Sequence, residues 1–169
     1  MRKFLLLILP LACMAFSKAD WITVNFDERV SIDFPAEPAK TETNGIPIWS
    51  YDKDTAFKCL ALVIDYSKFG LDSTALAKEL GGENFYKEFR TSMLGQIPGA
   101  TLLTDEVTKV KGWPAYKLSV DLGEKSSFDR MYCVNVFVGE KMYSYSFYEN
   151  AGNLREAGKT KFFDSLRVK

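Results

Sequence analysis

Two kinds of side chain in this 169-residue sequence could do chemistry: carboxylates near strand ends, and a small set of thiols. Asp65, Asp105, Glu106 and Asp121 fall near the ends of predicted strands. Two of them converging at roughly 5–10 Å would suit acid-based glycan hydrolysis. Acidic side chains at strand ends are ordinarily solvated, so the hydrolase stands as the alternative reading. Asp52 and Asp54 lie two apart in YDKDTAF, as calcium ligands do, but the stretch lacks the glycine and closing glutamate of a calcium loop. The chain has no histidine. That removes Ser-His-Asp and Cys-His nucleophiles and histidine-containing zinc sites. No glycine-rich phosphate cradle is present; GLDSTALAKELGG reads as a capped helix ending in glycines. No metal, cofactor or catalytic residue is expected, and the chain reads as no enzyme.

The thiols are Cys13, Cys59 and Cys133. Cys59 and Cys133 could pair in an oxidising compartment, closing a long loop worth about 4 kcal/mol. Both sit in apolar runs, FKCLALVIDY and RMYCVNVFV, where free cysteine behaves as a small hydrophobe, and this favours two buried thiols. Nothing in the chain supplies the base a catalytic thiol needs.

Cys13 lies in a different setting. Arg2 and Lys3 precede an apolar run from Phe4 to Phe16, and Ser17 and Ala19 place small residues before a cut at Asp20. This is the pattern of a secretory leader, residues 1–19, too short for a membrane span of about 20 apolar residues. Lipidation at Cys13 is the minority reading, because Pro10 stands where the lipid-attachment motif wants leucine. Residues 20–169 then form a single domain, soluble and exported to the periplasm or medium. Removal of Arg2, Lys3 and Lys18 reduces 22 basic residues to 19 against 22 acidic ones, a net charge of −3. No basic block remains, so nucleic acid is a poor partner.

The aromatic residues are a further lead. Trp49, Tyr51 and Trp113 could line a surface for a protein or small-ligand partner. Tyr143 and Tyr145 alternate with serines and read as core. Trp113 stands in KGWPAYKLSV, where Gly112 and Pro114 also suit a plain turn.

The elements that must position these residues follow from periodicity. WITVNF and RVSIDFP alternate, with Asp27-Glu28 as a turn between them. An irregular stretch is expected from Pro35 through Asn44-Gly45. IPIWSYD reads as an edge strand because of Pro47. AFKCLALVIDY and the 128–138 run are apolar on both faces, which requires cover on both faces. Asp72 or Ser73 can cap a helix, Gly81-Gly82 interrupts it, and Phe85, Phe89 and Met93 stripe its continuation. TLLTDEVTKV, PAYKLSVDL, SFDRMYCVNVFV and KMYSYSFYE follow, joined by connections short enough to force antiparallel hairpins. NLREAGKTKFFDSLRVK reads as a closing helix with Leu154, Phe162, Ser165 and Leu166 near one stripe, and RVK as a short extended tail. The sum is an α+β fold: a three-layer α/β/α sandwich with a mainly antiparallel sheet and a helical region on each face.

SIDFPAEP, the helix ending in IPGA, the VKGWPAYKL hairpin and the terminal KFFDSLRV resemble the Mog1/PsbP-like sandwich family across about 22–168. That family includes photosystem II extrinsic subunits, a Ran-binding nuclear protein and exported bacterial proteins of unknown role. The resemblance implies an accessory or interaction module with no common chemistry. No residues here match the calcium or chloride sites of the photosynthetic members.

Overall fold

The structure is a computed structural model that describes residues 21–54, 56–152 and 154–169. The leader reading of residues 1–19 and the lipidation reading of Cys13 therefore lie outside the described residues. In chain order the elements are β1 (Ile22–Asn25), β2 (Val30–Phe34), β3 (Ala39–Thr43), β4 (Ile46–Asp54), β5 (Phe57–Asp65), a 3-10 turn (Tyr66–Phe69), α1 (Ser73–Leu80), α2 (Glu83–Gly95), β6 (Thr101–Val110), β7 (Trp113–Asp121), β8 (Arg130–Val138), β9 (Lys141–Glu149), α3 (Glu156–Asp164) and β10 (Arg167–Val168). The main sheet has seven strands in the order β3-β4-β5-β9-β8-β7-β6, and every neighbouring pair is antiparallel.

Alternation along the central strands sorts side chains into two cores. Cys59, Ala61, Val134, Val136, Tyr143, Tyr145 and Phe147 point to one face, where Val30, Ile32, Phe34, Phe162 and Leu166 close over them. Met131, Cys133, Phe137 and Met142 point to the other, with Tyr116, Leu118 and Val120 of β7, under Leu76 and Tyr86 of the helices. Central strands buried on both faces carry apolar or small side chains on each: β5 is apolar on both, and the polar groups of β8 and β9, Asn135, Ser144 and Ser146, are themselves buried.

The sandwich is as expected, with one refinement. The first hairpin does not join the main sheet. β1, β2 and β10 form their own three-stranded sheet, which shares one face with α3. Asp33 ties this layer together: its carboxylate takes both Arg167 guanidinium nitrogens at 2.7 and 2.8 Å and the Thr23 hydroxyl.

The helices follow local rules. The Asp72 side chain accepts the Ala75 N–H at 2.8 Å and starts α1, and α2 begins directly after the Gly81-Gly82 break. Phe85 and Phe89 of α2 make edge-on contacts with Phe137 at 5.7 and 6.4 Å, and Phe89 with Tyr116 at 5.9 Å. In α3, Phe162 is buried and Leu166 follows it, but Leu154 precedes the helix and is 57% exposed, so it leaves the expected stripe.

Two expectations at the sheet edge are corrected. The stretch after Pro38 is not irregular: it holds β3, an edge strand exposed along its whole length and so invisible to hydrophobic periodicity. IPIWSYD is consequently the second strand, not the edge. The two outer hairpins share one local design, NGIP in β3–β4 and KGWP in β6–β7. Asn44-Gly45 and Lys111-Gly112 all have positive φ, as a type I′ turn requires. Each proline follows two places on, one residue before the next ladder begins at Ile48 or Ala115, so its missing N–H costs no sheet bond.

Candidate functional site

The β1-β2-β10 sheet and α3 cover the middle of one face and stop short of β6 and β7. A half-open groove of about 510 Å³ results. Thr104 and Glu106 of β6, Lys117 and Ser119 of β7, and Tyr132 and Val134 of β8 form its floor, and Phe163 of α3 its wall. Cross-strand register makes this one surface: Thr104 faces Ser119, Glu106 faces Lys117, and Lys117 faces Val134. The Thr104 and Ser119 hydroxyls lie 2.7 Å apart. A hollow of about 270 Å³ extends the line past Lys117, Val134 and Phe163 toward Lys111. The size is that of a small-ligand or peptide cleft.

The wall is held by a buried ion pair. Glu149 at the end of β9 is fully buried; one carboxylate oxygen takes the Lys159 ammonium at 3.0 Å and the other accepts the Arg155 N–H at 3.0 Å. Burial pushes the Lys159 pKa down, but hydrogen bonds to Glu156 and Glu149 outweigh it and the net direction is up. Lys159 also lies over the Tyr132 ring at 3.9 Å, so α3, β9 and the groove floor meet at one cation. Phe163, one turn on, packs on Tyr145 at 5.6 Å.

The four acids do not converge. Asp65 caps the 3-10 turn, accepting the Ser67 N–H at 3.0 Å. Asp121 accepts the Gly123 N–H at the far end of β7. Asp105 sits beside the groove, but its carboxylate turns to the helical face, where Arg90 and the Tyr116 hydroxyl both reach Oδ2 at 2.7 Å. Glu106 alone faces the groove with its side chain. The carboxyl groups whose pKa is displaced, Asp27, Asp33, Asp65 and Asp105, are all displaced downward; for Asp105 the donors are Tyr116 and then Arg90. A general acid needs the opposite direction. Among the described residues no group of three or more His, Cys, Asp or Glu could hold a metal.

Nor are the three aromatic candidates brought together. Trp49 is core, 6% exposed, with Phe26 at 4.7 Å and the Lys40 ammonium over its ring. Tyr51 is half-buried and stacks on Phe57 at 5.6 Å. Trp113 is 37% exposed at the hairpin tip, four strands from Trp49, or about 19 Å at ordinary strand spacing. The two cysteines are placed as the favoured of their two sequence readings has them, as buried thiols and not as a disulfide. Cys59 and Cys133 are free and buried, on opposite faces of the sheet with β9 between their strands, about 10 Å apart and beyond disulfide reach.

The groove itself was missed in the sequence. Its one local sign is Lys117 and Ser119 alternating with Tyr116, Leu118 and Val120: a strand polar on one face is uncovered there. Tyr132 and Phe163 carry no such sign, because each lies in a run that reads as core.

No protein-family model matches the chain, and no curated protein matches it. Among solved structures it is similar to cyanobacterial PsbP (CyanoP) from Synechocystis sp. PCC 6803, with a TM-score of 0.56 at 11% identity over 94% of this chain and 98% of that one. A Pseudomonas aeruginosa protein of unknown function matches at a TM-score of 0.49 and 14% identity over 88% of this chain and 97% of that one. At such identity the likeness is one of fold, and the chain has the PsbP-like fold.

Proposed function

We propose that the protein is an exported, non-catalytic accessory module that binds a protein or small-ligand partner along the β6–β8 groove. The observation that carries this reading is the groove: a stretch of sheet left open beside a well-buried core, offering hydroxyls, one acid, one ammonium and two aromatic rings. Lys117 and Glu106 set the polar contacts, and Tyr132, Val134 and Phe163 the apolar ones. The fold shared with PsbP supports an accessory role. Export rests on the leader pattern of residues 1–19.

The test is a photo-reactive amino acid at Lys117, with Lys78 on the exposed side of α1 as control, in protein produced by its own host. A discrete adduct at position 117 and none at 78 supports the reading. Equal labelling at both, or none at 117, overturns it. Release of reducing sugar from an envelope glycan by the wild type would restore the hydrolase. Intact mass separates a chain starting at Asp20 from one starting at a lipid-modified Cys13.

A further inference from the structure

β6 is the long edge of the main sheet, ten residues with one side unpaired. The type I′ turn makes Val110 and Trp113 a hydrogen-bonded pair. Bonding then alternates, so Glu106 and Thr108 bond inward to β7, and the backbone N–H and C=O groups of Asp105, Val107 and Lys109 point outward. Proteins ordinarily blunt such an edge. Here a bulge at Leu103 interrupts only the early part of the strand, leaving 105–109 regular.

The side chains of that regular stretch are self-complementary. About a two-fold axis through Val107, an antiparallel second strand of the same sequence sets Asp105 opposite Lys109 and Val107 opposite Val107. Val107 is 58% exposed, large for an apolar side chain at a sheet edge. It borders a hollow of about 320 Å³ with Leu80, Gly81, Gly82, Glu83 and Tyr86. Lys109 has no ion-pair partner among the described residues. Asp105 uses only Oδ2 for Arg90 and Tyr116, which leaves Oδ1 for a second cation. The outward backbone groups fall on the same three residues as the complementary side chains, so one register satisfies both.

We infer that β6 pairs antiparallel with β6 of a second copy about a two-fold axis through Val107, joining two seven-stranded sheets into one. The contact is isologous and closes on itself. It sets the two grooves side by side, with Glu106 of one copy opposite Thr108 of the second copy on their shared floor. The other edge, β3, is short and offers no large apolar side chain, so it serves as the control. The inference stands on the edge and not on the groove's occupant.

The experiment is sedimentation equilibrium of the purified protein, with cysteine cross-linking. The wild type is expected to be a dimer at tens of micromolar. Val107→Lys, which places like charges at the axis, is expected to shift the equilibrium toward monomer at least about tenfold, with an unchanged circular dichroism spectrum and thermal midpoint. Val107→Cys is expected to form a disulfide-linked dimer under mild oxidation, and Thr41→Cys on β3 is not. A wild type that stays monomeric at about 1 mM overturns the inference. So does Val107→Cys cross-linking no faster than Thr41→Cys, or coupling to a different protein in the host.

Discussion

Replacing Asp27 with asparagine tests whether the turn between β1 and β2 anchors the small sheet to the main one. Asp27 Oδ1 accepts the Arg29 and Val30 N–H groups at 2.9 and 3.0 Å, and Oδ2 accepts the Lys141 ammonium at 3.0 Å and the Tyr143 hydroxyl. Burial alone would raise the carboxyl pKa. The donors outweigh it, Tyr143 and Lys141 before the two backbone groups, and hold it at about 2 against an ordinary 3.8. That difference corresponds to about 2 kcal/mol, and solvent screening of a side chain 20% exposed reduces it to about 1–2 kcal/mol. A depressed pKa stabilises the fold above the unfolded value of 3.8, and the stabilisation is lost as pH falls toward 2. Urea unfolding of wild type and Asp27→Asn across pH 7 to 2.5 measures this directly. The variant should be less stable by about 1–2 kcal/mol at pH 7, and the gap should close between about pH 4 and 2 as the wild-type carboxylate protonates. Other carboxylates titrate in both proteins and cancel. A gap that is the same at pH 2.5 as at pH 7, or one below about 0.5 kcal/mol at pH 7, would refute the reasoning.

Three further outcomes follow from other parts of the structure. Phe162→Ala removes a fully buried ring that contacts Phe34, Tyr145 and Phe147, and should cost about 3–5 kcal/mol in chemical denaturation. Cys59 and Cys133 should resist a thiol reagent in the native protein, because burial pushes both thiols up in pKa, and both should titrate as free thiols in unreduced denatured protein. Lys111→Asn puts a residue that tolerates φ of 51 at the first turn position of the β6–β7 hairpin, and should raise stability by about 0.5 kcal/mol in thermal unfolding.

The sandwich and most of its strands were legible because the determining signals are local. Apolar groups on both faces of FKCLALVIDY and RMYCVNVFV demand two covering layers whatever the topology. Two-residue turns force antiparallel neighbours, so the β6–β7 and β8–β9 pairings are written in the chain. β3 was illegible for the complementary reason: AKTET buries nothing, so no periodicity marks it, and only the Asn44-Gly45 turn signals a hairpin.

What the sequence by itself determined was that the central strands are covered on both faces and that histidine-based chemistry is absent. Histidine is absent from the chain, and alternation is read from neighbours one and two apart. Tertiary structure alone decided where cover ends. β1 and β2 alternate as main-sheet strands would, yet β10, some 130 residues away, draws β2 into a separate sheet. The width of that layer with α3, pinned by Lys159 to Glu149, leaves β6 and β7 open and so creates the groove. Asp105 and Glu106 are adjacent in sequence and go to opposite faces: one into an arginine clasp, one into the groove. A strand's period of two assigns the faces, but only long-range packing says which of them meets solvent.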